Sequence, residues 1–362
     1  MSRDDTQSAM MRRALQEALR GARGANPLVG AVVVSASGDV LAVGHHRGAG
    51  SLHAERDAIA QLGSGTDLSA ATLYSTLEPC RHQGRQPACT EAILEVGIGH
   101  VVYGAADVTD TAGGGGRALA EAGVEVTGGV LAEECEQLNH RWSLAQKQGR
   151  PFVTVHLAQS LDAKIAASDG TSQWITSATS RSHTHRIRGR VDAILVGLNT
   201  VLVDDPRLTA RDEDGGLTEH QPLRCVLGLR ETPEGASLRR GRPEGQGWTQ
   251  LRTRDPLQAL RELARITHQG HPVRHVLVEG GQSVLSAFVA ADLVDEIFAY
   301  QAPVILGTGR SGIADIGVTT LHQAPRFELD PADGGPVRLM ESDVCSHLQP
   351  SSASAPQKET SH

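Results

Sequence analysis

The chain has 362 residues, of which 39% are hydrophobic, and a formal net charge of −8 at pH 7. This length predicts two domains, each with enough apolar residues to form a core without disulfide bonds. The negative charge argues against a nucleic-acid-binding protein, and no run approaches the 18 apolar residues of a membrane span. The N-terminus lacks the apolar segment of a secretory signal, and five cysteines do not indicate a disulfide framework. We therefore expect a cytoplasmic protein.

The first half of the chain alternates between helix-like and strand-like segments. A helix with possible caps at Thr6 and Ser8 is expected to end at Gly21, and VGAVVVSASGDVLAVG (29–44) is typical of a β-hairpin. Helices are then predicted in HAERDAIAQLG, PACTEAILEVG and GRALAEAG, and strands in ATLYSTL, HVVYGAA and VEVTGGV. This alternation predicts an α/β sandwich, a sheet covered by helices.

A domain boundary is predicted near residues 148–151. The segment LAEECEQLNHRWSLAQKQG (131–149) indicates one long helix, which the following proline cannot continue. Beyond it a second α/β pattern begins, with strands expected in FVTVHLA, AILVG, RCVLGL, RHVLVEGG and DEIFAYQAPVILG and helices in DPLQALRELARI and QSVLSAFVAA. We therefore predict domains at 1–148 and 151–347. The Ser/Pro-rich tail, 348–362, is expected to be disordered.

Four residues with metal-site chemistry lie in a short part of the first half. His53-x-Glu55 is followed by Pro79-Cys80, and Cys89 comes nine positions later. One imidazole and two thiolates make three zinc ligands and leave the fourth tetrahedral position for water. The alternative, a redox pair of cysteines, does not explain the accompanying His-x-Glu. Residues two apart do not share a helix face, so His53 and Glu55 can converge only if His53 lies at a helix entry. The other cysteines, Cys135, Cys225 and Cys345, are expected to be buried packing residues.

The run TLEPCRHQGRQPAC (76–89), the His-x-Glu motif and the hairpin NPLVGAVVV (26–34) resemble the deaminase half of the bifunctional riboflavin-biosynthesis deaminase–reductases, within the cytidine-deaminase-like superfamily. The resemblance implies a cytidine-deaminase-like α/β/α sandwich that binds Zn²⁺ through His53, Cys80 and Cys89. It implies that Glu55 is the catalytic proton shuttle in hydrolytic deamination of a 2,5-diaminopyrimidinone that carries a phosphoribosylamino group. Its implied substrate contacts are Asn26, His46, His82 and Arg85. Two features differ from the family pattern: Arg81, usually Ser, and the segment ADVTDTAGGGG (106–116).

The second half contains one weak dinucleotide signal and one stronger turn. GTGRSG (307–312) matches G-x-G-x-x-G, but no convincing amphipathic helix follows it, so a Rossmann site is not predicted. In VLVEGGQSVLSAFV (276–289) a strand runs through Glu279-Gly280-Gly281 directly into a helix. Such a turn admits a phosphate close to the backbone, although glycines that serve only packing would give the same pattern.

The runs SLDAKIAASDGTSQWITS (160–177) and NTVLVDDPRLTAR (199–211), together with the Glu-Gly-Gly turn, resemble the reductase half of the same family. The resemblance implies a dihydrofolate-reductase-like α/β domain in which NADPH transfers hydride to an open-chain ribose aldehyde. The implied cofactor contacts are Ala158, Trp174, Thr200, Asp204 and Gly281. The implied substrate contacts are Ser172, Arg188, Leu208, Arg211 and Glu279. His156, Ala163 and Gly228 differ from the residues that the family commonly has there.

Three functions are therefore compared. The first is a bifunctional enzyme with Zn²⁺ and NADPH as cofactors, acting on a small phosphorylated pyrimidine, without nucleic-acid or membrane partners and with a homo-oligomer left open. The second is a deaminase whose reductase-like domain only binds ligands, suggested by the differences at His156, Ala163 and Gly228. The third is deamination of a base in RNA or DNA. The net negative charge and the lack of a basic, aromatic-rich sequence that could form a strand-binding groove argue against this third function.

Overall fold

The computed structural model describes residues 3–21, 26–47, 51–63, 66–83, 86–240, 247–330 and 335–351. The contacts between backbone positions divide the chain into two units, Met1–Gly149 and Arg150–His362. Among the described residues, no helix combines the length and the apolar character that crossing a membrane requires.

The first unit has one mixed sheet with helices around it. In chain order its elements are α1 (Arg3–Ala18), β1 (Gly30–Val34), β2 (Val40–His45), α2 (Ala54–Ile59), β3 (Thr72–Leu77), α3 (Cys89–Glu95), β4 (His100–Ala105), α4 (Gly115–Glu121), β5 (Glu125–Gly128), α5 (Ala132–Leu138) and α6 (His140–Gln148). The described strands are ordered β2-β1-β3-β4-β5. β1 is antiparallel to β2 and to β3, whereas β3, β4 and β5 are parallel. The hairpin prediction is confirmed.

Two glycines show that helices pack closely on both faces of this sheet. A Cβ added at Gly30 would lie 2.0 Å from the backbone oxygen of Ala14 in α1, and one added at Gly44 would lie 2.2 Å from that of Ala54 in α2. Gly44 pairs with Ala31, the neighbour of Gly30 along β1, so the two glycines face opposite sides of the pleated sheet. α1 and α2 therefore cover opposite faces, as a sandwich requires.

Two helix boundaries differ from the sequence prediction. α1 begins at Arg3, before the predicted caps Thr6 and Ser8, and Asp4 and Asp5 in its first turn complement the positive end of the helix dipole. The predicted single helix over 131–149 is wrong, because Asn139 (φ −117°) separates α5 from α6. The side chain of Asn139 instead accepts a 2.8 Å hydrogen bond from the Leu28 amide and donates one of 2.8 Å to the Leu28 carbonyl.

The second unit is built on a larger, mostly parallel sheet. Its elements are β6 (Phe152–Ser160), β7 (Lys164–Ala166), α7 (Ala178–Arg188), β8 (Ala193–Gly197), α8 (Leu198–Asp204), β9 (Leu223–Leu227), a 3₁₀ turn (Ser237–Arg239), β10 (Trp248–Leu251), α9 (Pro256–Leu263), β11 (Thr267–His268), β12 (His271–Pro272), β13 (His275–Val278), α10 (Gln282–Ala290), β14 (Glu296–Ala302), β15 (Arg310–Ser311), β16 (Phe327–Leu329), β17 (Val337–Met340) and β18 (Asp343–Pro350). The described sheet runs β10-β9-β8-β13-β6-β14-β18-β16, with β17 also on β18. Pairing is parallel from β10 to β14 and antiparallel beyond it.

Both faces of this sheet are covered by apolar side chains. Along β8, Leu195 belongs to a core cluster shared with α9 and α10, whereas Ile194 and Val196 belong to a cluster shared with α7 and α8. Because helices pack on each side, every residue of β8 is buried. This explains why AILVG is an unbroken apolar run rather than an alternating one.

Two expectations at the C-terminal side are corrected. The strand predicted over 295–307 ends at Ala302, and Pro303, which has no N–H for strand pairing, follows it. Leu348 to Pro350, which were predicted to open a disordered tail, instead lie in β18. There they pair with β16, as in Leu348↔Leu329. The rest of the predicted tail, 352–362, lies outside the described residues.

Candidate functional site

His53 and Glu55 lie where the zinc hypothesis requires them. His53 is the N-cap residue of α2 and has an extended conformation (φ −65°, ψ 157°), and Glu55 is the second residue of the helix. The expectation that His53 lies at a helix entry is therefore confirmed. Because His53 precedes the regular turns, its ring and the Glu55 carboxylate can face the same point.

Cys80 and Cys89 bring their sulfur atoms to that point. Cys80 follows β3 by three residues, Cys89 is the first residue of α3, and both are buried. His53 Nδ1 lies 3.5 Å from Cys80 Sγ and 3.3 Å from Cys89 Sγ. All three ligand atoms lie within 4.8 Å of one another. Tetrahedral ligands at zinc bond lengths would be roughly 3.5–3.8 Å apart, so this donor set fits a zinc ion with one open position.

The electrostatics of the cluster favour a bound cation. A hydrogen bond from Cys89, together with one from His53, lowers the pKa of Cys80. Its hydrogen bond to Cys80 and its burial raise the pKa of Cys89. The hydrogen bond with Cys80 raises the pKa of His53. Of the two thiols, therefore, only that of Cys80 has a lowered pKa. A divalent cation would favour ionisation of both thiols.

Glu55 is held beside the ligand set but is not part of it. One carboxylate oxygen accepts a hydrogen bond from Ser75 Oγ at 3.3 Å, and the other lies 3.4 Å from Cys89 Sγ. Burial raises the pKa of Glu55, and the negative charge of Cys80 raises it further. The sequence analysis missed Ser75, for which the available signal was a polar pair, Ser75-Thr76, in the fully buried part of β3.

The four predicted substrate contacts of this half are placed differently. Asn26 Nδ2 lies 2.9 Å from His46 Nε2, and the His46 ring packs edge-on against the His53 ring with centroids 5.6 Å apart. The structure thus brings Asn26 and His46 to the candidate metal centre. His82 is exposed two residues after Cys80. Arg85 lies outside the described residues.

Arg81 and the segment 106–116, the two differences from the family pattern, contact each other. The Arg81 amide donates to the carbonyl of Ala112, and Arg81 Nε donates to that of Gly113 at 2.5 Å. Ala112 packs in one apolar cluster with Cys80 and Cys89. The segment therefore covers the sulfur side of the candidate metal centre.

The second unit contains a cavity of about 830 Å³ at the carboxyl ends of β8, β9, β10 and β13. In open α/β sheets this edge is where ligands bind. Four predicted contacts line the cavity: Ser172, Thr200, Asp204 and Gly281. Burial raises the pKa of Asp204, while Ser172 and Arg310 oppose this shift. At Gly228, one of the three differences from the family, φ is +156° and an added Cβ would lie 3.0 Å from Leu198.

Arg188 and Glu279 form a buried, two-bond ion pair. Arg188 Nε donates to Glu279 Oε1 at 2.7 Å and Nη2 donates to Oε2 at 2.5 Å. Burial alone would raise the pKa of Glu279, but the charge and hydrogen bonds of Arg188 outweigh it and lower that pKa. His156 lies near this pair, bonds Thr184 Oγ1 at 2.9 Å, and has its pKa lowered mainly by burial. The pair and the histidine form one polar cluster.

Several predicted reductase residues lie outside the described cavity lining. Ala158 is in β6 and packs against the cluster that contains Leu208, which is buried at φ +52°. Trp174 is 68% exposed, and the Arg181 guanidinium lies 4.6 Å from its ring centroid. Arg211 pairs with Leu217 and donates to the carbonyl of Gly215 at 2.7 Å. The sequence analysis also missed three arginines that do line the cavity, namely Arg230, Arg254 and Arg310.

Comparison with known proteins agrees with this two-site arrangement. Residues 4–105 match the family described as the cytidine and deoxycytidylate deaminase zinc-binding region, and residues 151–332 match the RibD C-terminal domain. The riboflavin biosynthesis protein RibD of Mycobacterium tuberculosis is 40% identical over 87% of this chain and 90% of its own length. RibD of Escherichia coli is 34% identical over 93% and 98%. The chain belongs to the RibD family.

Solved structures of RibD proteins have the same fold. Acinetobacter baumannii RibD aligns with a TM-score of 0.84 and 30% identity, covering 97% of this chain and all of that one. The Thermotoga maritima diaminohydroxyphosphoribosylaminopyrimidine deaminase/5-amino-6-(5-phosphoribosylamino)uracil reductase aligns with a TM-score of 0.79 and 32% identity, over 97% and 100%.

Membership of the RibD family distinguishes between the three functions that the sequence left open. The chain is a two-domain α/β enzyme of riboflavin biosynthesis, with a zinc-dependent deaminase domain followed by an NADPH-dependent reductase domain. The predicted family, fold class, bifunctional activity and cofactors are confirmed. Its substrate is a small pyrimidine. The comparisons give no support to a reductase-like domain that only binds ligands.

Proposed function

We propose that His53, Cys80 and Cys89 hold the zinc ion of the deaminase and that Glu55 is its proton-carrying catalytic residue. The observation that carries this proposal is the convergence of three ligand atoms within 4.8 Å, with the Glu55 carboxylate 3.4 Å from Cys89 Sγ. When bound, zinc supplies a water molecule of lowered pKa and Lewis acidity for hydrolysis.

Glu55 has the properties of a general acid and base. Its carboxylate is buried and its pKa is raised, so it can hold a proton nearer to neutral pH than an exposed glutamate. It would accept a proton from the attacking water and donate it to the departing amino group, which leaves as ammonia. The hydrogen bond from Ser75 holds one carboxylate oxygen, and the other oxygen lies beside Cys89 Sγ, on the side of the proposed metal ion.

The substrate of this step is proposed to be 2,5-diamino-6-(5-phosphoribosylamino)pyrimidin-4(3H)-one. The name of the Thermotoga maritima relative, a deaminase of a diaminohydroxyphosphoribosylaminopyrimidine, supports this choice. Asn26 and His46, adjacent to the His53 ring, are proposed to contact the pyrimidine ring. The proposed contacts of the substrate phosphate are His82 and Arg85.

For the reductase we propose that NADPH lies in the 830 Å³ cavity against Thr200, Asp204 and Gly281. Of the proposed substrate contacts, Ser172 lines that cavity, and Glu279, which bonds Arg188, precedes the lining residue Gly281 by two positions. The remaining proposed contacts, which lie outside its described lining, are Ala158 and Trp174 for the cofactor and Leu208 and Arg211 for the substrate. We assign the deaminase to residues 1–148 and the reductase to 151–350, because β18 ends at Pro350. Five free cysteines, all buried, support a reducing cytoplasm as the compartment.

Separate measurement of the two steps tests the site assignments. Glu55→Gln should reduce ammonia release by about a hundredfold to ten-thousandfold, the usual contribution of general acid–base catalysis. Zinc content should be unchanged, because Glu55 is not a ligand. Oxidation of NADPH with the deaminated intermediate supplied directly should also be unchanged. Normal ammonia release by Glu55→Gln would show that another group moves the proton.

A further inference from the structure

Two arginines that line the reductase cavity have no side-chain partner among the described residues. Its described lining includes three guanidinium groups, on Arg230, Arg254 and Arg310, and one carboxylate, that of Asp204. Asp204 interacts with Arg310, so these two charges offset each other. Within the described ranges, the guanidinium groups of Arg230 and Arg254 make no hydrogen bond and no ion pair. The cavity therefore carries an excess of positive charge on these two side chains.

These two arginines follow neighbouring strands of the sheet. β9 and β10 are adjacent and parallel, with Leu227 opposite Leu251. The Gly228 amide continues this pairing by donating to the Leu251 carbonyl at 3.1 Å. Arg230 and Arg254 each lie three residues beyond the paired leucines, in the turns that follow β9 and β10. Two exposed cationic side chains thus follow adjacent strand ends and line one cavity.

We propose that Arg230 and Arg254 bind the 2′-phosphate of NADPH and give the reductase its preference for NADPH over NADH. This inference rests on the proposed location of NADPH in the cavity. The two cofactors differ only in that phosphate, which carries roughly −1.5 to −2 charges near neutral pH. Guanidinium groups suit it because their planar array of N–H donors matches phosphate oxygens in two-bond contacts.

The pyrophosphate common to both cofactors has a different place to bind. α10 begins at the cavity wall, and its N-cap residue, Gly281, provides no side-chain cap, so first-turn amides can meet a phosphate. Gly281 follows β13, which lies two strands away from β9 in the sheet. The arginine pair is therefore separated from the pyrophosphate wall and is left for the phosphate that only NADPH carries.

Direct binding measurements test this assignment without relying on turnover. The full chain is titrated calorimetrically with NADPH, NADH, 2′-AMP and 5′-AMP. Arg230→Ala and Arg254→Ala should each weaken NADPH and 2′-AMP binding by about tenfold to a hundredfold, the effect of losing charged hydrogen bonds. NADH and 5′-AMP binding should change by less than about twofold. Arg252→Ala is the matched control, because Arg252 directly follows β10, two residues before Arg254, but donates to Glu231 at 2.8 Å and does not line the cavity.

Unchanged ammonia release and thermal unfolding would confirm that the variants fold. Equal losses for NADPH and NADH would overturn the proposal, because the arginines would then contact a part common to both cofactors. Unchanged NADPH binding in both variants, or loss of binding only for the phosphorylated pyrimidine, would also overturn it. If the unaltered chain binds neither cofactor, the placement of NADPH in this cavity fails, and the inference fails with it.

Discussion

Replacing Glu279 with leucine should destabilise the second unit by about 3–5 kcal/mol, the usual cost of leaving one member of a buried ion pair without its partner. The side chains of Arg188 and Glu279 are only 17% and 9% exposed, so water cannot replace the lost contacts. Without Glu279 the guanidinium of Arg188 would keep one described hydrogen bond, from Nη1 to the Thr209 carbonyl at 3.2 Å. Its charge would remain buried.

Scanning calorimetry measures this cost. For a unit of about 200 residues, each kcal/mol shifts Tm by about 2–4 °C, so a fall of roughly 6–20 °C is expected in one transition. The transition that NADPH raises in the unaltered chain identifies the reductase. The double variant Arg188→Met/Glu279→Leu removes both charges and should recover most of the loss, because apolar replacement of a buried pair is often nearly neutral.

The pH dependence of the unfolding free energy gives an independent check of the contribution of the Arg188–Glu279 ion pair. The folded-state pKa of Glu279 lies below its ordinary value of 4.5, so the ion pair contributes its full stability above about pH 4.5. That contribution is lost as the pH falls through the lowered pKa. The stability difference between the unaltered chain and Glu279→Leu should therefore narrow only under acid conditions. The reasoning would be refuted if, at every pH, the double variant lost as much stability as the Arg188→Met and Glu279→Leu variants lose together.

Two further predictions concern stability. Asn139→Ala should lower the stability of the first unit by about 2–4 kcal/mol, because the Leu28 amide and carbonyl each lose a 2.8 Å hydrogen bond. A stability loss no larger than that of Gln137→Ala, at an exposed position of the same region, would contradict this. Burial lowers the pKa of His183 from 6.5 to about 4. As the pH falls from 6.5 to 4, the unfolded chain therefore binds a proton at this residue before the folded chain does. The second unit should lose roughly 3 kcal/mol of folding stability over that range. His183→Gln should remove that part of the slope in denaturant titrations, and an unchanged slope would disprove it.

The candidate metal centre could be predicted from sequence because its chemistry is concentrated in short motifs. His53 and Glu55 are two residues apart, and Cys80 and Cys89 flank one loop, so zinc chemistry limits what the pattern can mean. The helix entry at His53, which the pattern required, follows from the same local segment. Ser75 was missed because the polar pair Ser75-Thr76 in a strand does not indicate which carboxylate the serine contacts, and Glu55 lies in a helix 20 residues earlier.

The remaining differences come from contacts between distant parts of the chain. The break at Asn139 depends on hydrogen bonds to Leu28, 111 residues away, which no local helical pattern contains. Arg230 and Arg254 belong to turns after two different strands, and only the parallel register of β9 and β10 brings them together. Leu348 to Pro350 have the composition of a tail, but β16 provides the strand with which they pair.

The zinc content of the purified chain tests the central claim most directly. The account predicts about one zinc ion per chain in the unaltered protein and in Glu55→Gln, and almost none in Cys80→Ser or Cys89→Ser. Ammonia release should fall with the metal in the cysteine variants. Elemental analysis that finds no zinc in a chain that deaminates at its full rate would contradict the account, as would full zinc content in Cys89→Ser.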